Sequence, residues 1–404
     1  MDQEKDAAAI SRRKFVSSVG ALGAMAALPI SANALGSINA TENTAILKSG
    51  PYLQAPTFNS ITIRWITHVP CFSWVEYGLS ADKLDKQGHT TELGFHETYN
   101  TVNGIDLNGL EPGTTYYYRI CSKKIEVFEA YKMTFGDMYT SPVHTFKTAT
   151  TKADKFSFLV FNDIHDRPAS FTHLLKFNED KKHDFVFLNG DMFDYQTDED
   201  QLVNHLLQPF GDMFATTPFF FSRGNHETRG KFARNIPDYF NGHDARFYFS
   251  FQYGDMYAIV LDSGEDKEDE HAAYYGMVDF DNYRKQQAAW LEKEIQKPAF
   301  KKAKYKVVFS HIPLFYSGDW HGTTHCRQSW NHIFNKAKID VLISGHTHTH
   351  GIHPAVKGQH EYPIVIGGGP LQNKRTLITV EFDNKALNLK MVDDSGKTVG
   401  TLTV

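Results

Sequence analysis

The run Ile339-Asp340-Val341-Leu342-Ile343 leads directly into Ser344-Gly345-His346-Thr347-His348. A short, nearly continuous apolar run reads as a strand buried on both faces, as in a parallel sheet covered by helices. Two imidazoles, two residues apart, stand where that strand stops. Residues i and i+2 share a face, and Gly345 frees the backbone to aim both rings at one point. Neutral imidazole is the commonest metal ligand near neutral pH. With 20 histidines in 404 residues, one such pair arises by chance. It gains weight because the layout recurs upstream.

Four earlier apolar runs end in the same way. Phe156 to Phe161 leads through Asn162 into Asp163-Ile164-His165. Phe185 to Leu188 leads through Asn189 into Gly190-Asp191-Met192-Phe193-Asp194. Phe219 to Phe221 leads through Ser222 into Arg223-Gly224-Asn225-His226-Glu227. Val307 to Phe309 leads through Ser310 into His311-Ile312-Pro313. In open α/β sheets the ligand site lies beyond the carboxyl ends of the strands. Five clusters at five strand ends therefore converge on one place, although each alone is a weak signal. Helical stretches separate the runs. The clearest is 283–297, with Ala288, Ala289, Leu291 and Ile295 spaced for one buried face. Residues 247–251 and 257–261 read as a hairpin, and 376–404 as closing strands turning at 393–396.

Outward from this α/β half, residues 45–150 read as short strands. Ser60 to Thr67 alternates polar and apolar, Trp74 to Gly78 and Thr101 to Leu107 follow, and Thr114 to Ile120 comes after the Glu111-Pro112-Gly113 turn. Such spacing suggests a β-sandwich, with Trp65 and one of Tyr116, Tyr117 and Tyr118 in its core. Cys71 and Cys121 could bridge within it after export. The polar stretch 148–155 is the linker.

Residues 1–34 have the layout of a secretory leader: Arg12-Arg13, an apolar small-residue run from Val19 to Ile30, and Ser31-Ala32-Asn33-Ala34 as a cleavage site. The paired arginines point to the twin-arginine route, which exports folded proteins, over an ordinary Sec leader. The apolar run is too short for a membrane span, and no cysteine stands at the cleavage site for a lipid anchor. A periplasmic or secreted protein is expected, without a stable membrane anchor. The net charge of −5 suggests neither a nucleic-acid nor an anionic-membrane partner. Three cysteines exclude a disulfide framework.

The five clusters resemble the blocks of the calcineurin-like metallophosphoesterases: D-x-H, G-D-x-x-D, G-N-H-E, a lone H and G-H-x-H. The stretches Gly50-Pro51-Tyr52-Leu53-Gln54, Ile63-Arg64-Trp65, Val75-Glu76-Tyr77-Gly78 and Leu110 to Arg119 resemble the fibronectin type III-like domain that precedes the catalytic domain of purple acid phosphatases. The resemblance implies a two-sheet metallophosphoesterase α/β sandwich over 156–404, preceded by an all-β fibronectin III-like sandwich over 45–150. It also implies a ligand set. Asp163, His165, Asp191 and His348 would hold one metal ion, and Asp191, Asn225, His311 and His346 a second, with Asp191 bridging. This donor mix suits Mn, Fe or Zn better than Ca or Mg. Two cations about 3.5–4 Å apart clamp a phosphate ester and make a bridging hydroxide available near neutral pH. His226 would be the general acid and Asp194 the group that holds its tautomer.

The sequence departs from the purple enzymes at one position. Their second block is G-D-x-x-Y, whose tyrosine binds ferric iron and gives the colour. Here Asp194 stands there, and Tyr195 comes one residue late. In the loop after His311, His321 is the candidate substrate contact, with His325 and His350 lesser candidates. Arg223 suits phosphate contact and structural anchoring equally, and Glu227 suits hydrogen-bond orientation. The expected activity is hydrolysis of a small phosphomonoester, with a phosphodiester as first alternative. A non-catalytic phosphate- or carbohydrate-binding module and a purely structural metal protein are the other classes. The first would be expected to have lost ligands, and the second would need closed coordination.

Overall fold

The computed structural model describes residues 45–404 apart from 151–154, 179–180, 241–245 and 384. The leader read in 1–34, and part of the linker read in 148–155, lie outside the described residues.

The apolar runs are strands of two stacked sheets. In the first, Lys155–Phe161, Phe185–Asn189 and Phe219–Ser222 run parallel in adjacent register. The antiparallel strands Thr376–Asp383, Leu387–Asp393 and Thr398–Thr403 close its far edge. In the second, Met256–Leu261, Tyr305–Ser310, Val341–Ser344 and Ile364–Ile366 are parallel. The hairpin strand Phe249–Tyr253 lies on one edge and Gly351–His353 on the other. Each parallel strand is almost wholly buried, as a sheet covered on both faces requires.

Between the sheets lies a core of aromatic and branched side chains, including Phe158, Phe187, Phe220, Phe251, Phe309 and Val341. The rings of Phe187 and Phe309 stack with centroids 3.7 Å apart, and those of Phe220 and Phe251 at 3.8 Å. Each such ring contributes about 1.5–3 kcal/mol by burial. The outer face of the first sheet is covered by helices Ala169–Leu175 and Gln208–Phe214. That of the second is covered by Phe280–Glu294 and His321–Ala337. This sandwich fixes the site, because the strands of each sheet end together along one edge.

Helix Phe280–Glu294 buries Leu291 with Ile295 behind it and packs Ala288 on the same cluster, as the spacing suggested, but polar side chains share the buried face. Phe280, Arg284, Gln287, Leu291 and Glu294 point inward, while Ala289 is exposed. Polar side chains are admitted because they satisfy a loop that carries no ladder of its own. Arg284 donates to the carbonyls of Ser263 and Glu265, and Gln287 exchanges hydrogen bonds with the main chain of Asp262. An apolar-periodicity reading cannot register such a face.

The N-terminal strands pack around Trp65, Tyr116, Tyr118 and Phe146, and the indole Nε1 of Trp65 donates to Ser122 Oγ at 2.8 Å. What the sequence presents as two short strands is one, Ser60–Gly78. Its register against Thr98–Asn108 shifts between Ile66 and Cys71. Such an irregularity bends a strand and increases its twist, so its two halves serve different neighbours. Cys71 and Cys121 are not bridged; both thiols are free and buried. They lie on paired strands, but Cys71 faces Lys124 and Cys121 faces Trp74. At about 3.4 Å per residue, a three-residue offset exceeds disulfide reach.

Polar contacts tie these strands to the α/β part. Tyr118 Oη donates to the Ala215 carbonyl at 2.7 Å, and Tyr52 Oη to the Tyr239 carbonyl at 3.1 Å. Arg64 Nη1 donates to the Asp238 carbonyl at 2.6 Å, and Lys48 Nζ pairs with Glu199 at 2.7 Å.

Candidate metal centre

All five strand-end clusters meet. Asp163, His165, Asp191 and His348 each bring a ligand atom within 4.8 Å of the others, and so do Asp191, His311 and His346. Asp191 belongs to both groups. His348 Nε2 lies 3.0 Å from His165 Nε2 and 3.4 Å from Asp163 Oδ1. His311 Nε2 lies 2.9 Å from Asp191 Oδ2, and Asn225 Oδ1 lies 3.0 Å from His346 Nδ1.

The backbone is bent to achieve this. Asp163, His165, Asp191, His346 and His348 all have φ between +51° and +72°, where a residue with a Cβ is held only at a cost of order 1–3 kcal/mol. Such outliers cluster where function holds them. At Gly224 and Gly345 the chain approaches so closely that no side chain fits. An added Cβ would lie 2.3 Å from Asp191 Oδ1 in the first case and 2.4 Å from Asp163 Oδ2 in the second.

A surrounding layer orients the donors. His311 Nδ1 donates to the Asn189 carbonyl at 2.8 Å, leaving Nε2 as the free nitrogen. That Nε2 is buried and has no hydrogen-bond partner. Asn162 Nδ2 donates to Asp163 Oδ2 at 2.6 Å and to the Gly368 carbonyl at 2.9 Å. Glu227 is fully buried and accepts from the main-chain N–H groups of Gly224, Asp191, Met192 and Phe193. This is the orienting role its sequence position suggested, since it locks the second and third clusters together.

Charge in the cluster is unbalanced in a way that fits a cation. Burial opposes ionisation of Asp163 and Asp191, yet the His311 imidazole beside them outweighs it and holds both well below the usual carboxylate range. Burial likewise depresses His311, but Asp191 and Asp163 push it up to about 10. His346 falls to about 4, by burial and then by His311. Burial, then the Asp191 charge, raises Glu227 to about 7 against its four N–H donors. Two buried carboxylates and converging imidazoles are a donor set that suits a transition-metal ion.

Asp194 does not act as expected. Its carboxylate takes His165 Nδ1 at 2.9 Å, which turns His165 Nε2 toward the cluster. His226 Nδ1 instead donates to the main-chain carbonyl of Asp194 at 2.6 Å. The tautomer of His226 is thus set by backbone, and Nε2 faces Arg229 Nη1 at 2.9 Å. Burial first, with the charges of Arg229 and His165, lowers His226 against the opposing charge of Asp191. Arg229 was missed in the sequence. It grips Glu265 through Nε at 2.7 Å and Nη2 at 2.9 Å, and only its position two residues past the G-N-H-E block hinted at it. Asn162 was missed too, since a lone asparagine at a strand end is uninformative.

His321 is placed elsewhere than expected. Its Nε2 is committed to Asp281 at 2.8 and 3.0 Å, and it stacks on His325 at the start of its helix. The cavity beside His346 is lined instead by Tyr316, Ser317, Trp320, His350 and His353, among others. Arg223 is an anchor: half-buried, paired with Asp262 at 2.6 Å and lying over the Phe247 ring. Tyr195 is 57% exposed and belongs to neither Asp/His group.

Residues 156–350 match the calcineurin-like phosphoesterase family, and residues 51–148 match the purple acid phosphatase N-terminal domain. Over 298 residues the chain is 25% identical to purple acid phosphatase 21 of Arabidopsis thaliana, covering 69% of this chain and 60% of that protein. It is 24% identical over 271 residues to human acid phosphatase type 7, covering 64% of this chain and 57% of that protein. The chain thus spans about 60% of the length of the first of these relatives. Its fold is shared with a purple acid phosphatase from yellow lupin, Lupinus luteus (TM-score 0.66, 15% identity, 87% of this chain and 73% of that one). It is also shared with PhoD (TM-score 0.62, 14% identity, 89% of each).

Proposed function

We propose that this chain, which carries a calcineurin-like metallophosphoesterase domain behind a purple acid phosphatase-type N-terminal domain, is an exported two-metal phosphohydrolase acting on small phosphomonoesters. Its matched curated relatives are named as acid phosphatases. The observation that carries the reading is the convergence of two Asp/His groups sharing Asp191. Asp163, His165, Asp191 and His348 would hold one ion, and Asp191, Asn225, His311 and His346 the other. The ions, when bound, neutralise ester charge and activate water.

The remaining roles fall to the protein's own groups. Asp194 and the Asn189 carbonyl aim the rings of His165 and His311. Glu227 fixes the main chain that carries Asp191. His226 would act as proton donor to the leaving oxygen through Nε2, once that nitrogen, which accepts from Arg229 Nη1 here, has taken up a proton; Arg229 is anchored on Glu265. The leader read in residues 1–34 supports export to the periplasm or beyond. No helix among the described residues is long and apolar enough to cross a membrane.

Elemental analysis and turnover of a phosphomonoester and a phosphodiester with matched aryl leaving groups test the proposal. About two metals per chain with monoester turnover are expected, and both should vanish in Asp191→Ala. Preferred diester turnover would move the substrate class. Two metals without any turnover would favour a binding role. With Tyr195 exposed, the loaded protein should lack a visible tyrosinate-to-iron band; a purple preparation would contradict the ligand set.

A further inference from the structure

The cavity next to His346 is bounded by aromatic surface that the cluster itself does not use. It measures about 480 Å³. Tyr316 and His353 form one wall, with rings stacked at 3.7 Å between centroids and 9° between planes. This wall is pinned from behind. His360 is fully buried, and its Nδ1 donates to the Tyr362 carbonyl at 2.9 Å. Its Nε2 is therefore an acceptor, and Tyr316 Oη donates to it at 2.8 Å. The Tyr316 plane is thus held by stacking on one side and a hydrogen bond at its end. Trp320 is a second lining residue, and Ile366 adds apolar surface. Despite their size, Tyr316 is 46% and Trp320 56% exposed.

Large aromatic side chains left open beside a polar cluster mark a binding surface more often than an accident of packing. A fixed, stacked ring pair offers a planar face at little entropic cost, because its own freedom is already lost. We propose that this cavity is a leaving-group subsite that selects phosphate esters of planar aromatic groups over those of alkyl alcohols, with Tyr316, His353 and Trp320 as the stacking surfaces. The inference rests on the phosphohydrolase reading above, since His346 belongs to the Asp191 group and also lines the cavity. Two sources share this chemistry: an aryl ester, with the ring on the ester oxygen, and a nucleotide, with the base one sugar away.

The test is the ratio of kcat/KM for phenyl phosphate, or for a nucleoside 5′-monophosphate, to that for glycerol 3-phosphate. Comparing each ratio between the metal-loaded native protein and Trp320→Ala or Tyr316→Leu cancels the intrinsic reactivity of each leaving group. Loss of one stacking surface should lower the ratio roughly 5- to 100-fold, with metal content held in both variants and Tm held in Trp320→Ala. A drop for phenyl phosphate alone assigns the aryl source, and a drop for the nucleotide alone assigns the base. Unchanged ratios in both variants would overturn the proposal.

A second measurement does not need turnover. The Kd of phenylphosphonate should be lower than that of methylphosphonate for the native protein, and the gap should close in Trp320→Ala. Equal affinities in the native protein would overturn the subsite even in an active enzyme. A clear gap in a protein that hydrolyses nothing would retain the subsite and remove the hydrolase reading.

Discussion

Replacing Gly345 by alanine should damage the metal centre without touching a ligand. The new methyl group would stand 2.4 Å from Asp163 Oδ2 and 3.0 Å from Asn162 Cβ and Nδ2, where ordinary contact begins near 3.4 Å. One of the groups must therefore shift by about 1 Å, taking 2.4 from 3.4. The Asp163 carboxylate cannot swing aside cheaply. Asn162 Nδ2 holds its Oδ2 at 2.6 Å, and the His346 N–H reaches the same oxygen at 2.9 Å. Metal sites tolerate misplacement of only about 0.5 Å. Disturbing an orienting contact costs roughly 10- to 100-fold in metal affinity, or about 1.4–2.7 kcal/mol. The assay is calorimetric titration of stripped protein with Zn²⁺ or Mn²⁺, alongside elemental analysis and Tm. Gly345→Ala should stay folded and bind metal at least tenfold more weakly. A folded variant with native affinity would refute the claim that close approach of the 345 backbone sets the position of Asp163.

Two further outcomes follow from contacts outside the ligand set. His226→Ala should keep its metal but lose kcat by about 10²–10⁴, more for alkyl than for aryl esters, because a poor leaving group needs the proton more; equal loss on both in steady-state assays would remove His226 as proton donor. Tyr118→Phe removes the buried bond to the Ala215 carbonyl and should cost about 1 kcal/mol, seen as a Tm lowered by about 1–4 °C; an unchanged Tm would show that this contact does not hold the N-terminal strands to the α/β part.

Much of the site could be read along the chain because strand chemistry and ligand chemistry meet at the same places. Each apolar run had to be buried, each therefore had to be a sheet strand, and each led into a cluster that carries Asp, Asn or His. The readings that failed concern side chains whose partners are distant in sequence. The Asp194 carboxylate was paired with the wrong histidine because two imidazoles, His165 and His226, lie within reach of residue 194. The polar part of the buried face of helix Phe280–Glu294 was missed because Arg284 and Gln287 are admitted by carbonyls some 19 to 25 residues away. His321 was tied to substrate by its place in a loop, whereas Asp281, 40 residues upstream, claims its Nε2.

By itself, the sequence determined the fold class, the strand ends and the donor types, because burial pattern and metal preference are local properties of residue identity and spacing. Only the tertiary structure decided which carbonyl or carboxylate sets each imidazole's tautomer and which aromatic rings border the cavity. Those depend on distances between strands far apart in the chain. A hydrogen bond is made or lost over less than 1 Å, a length that spacing along a sequence does not encode.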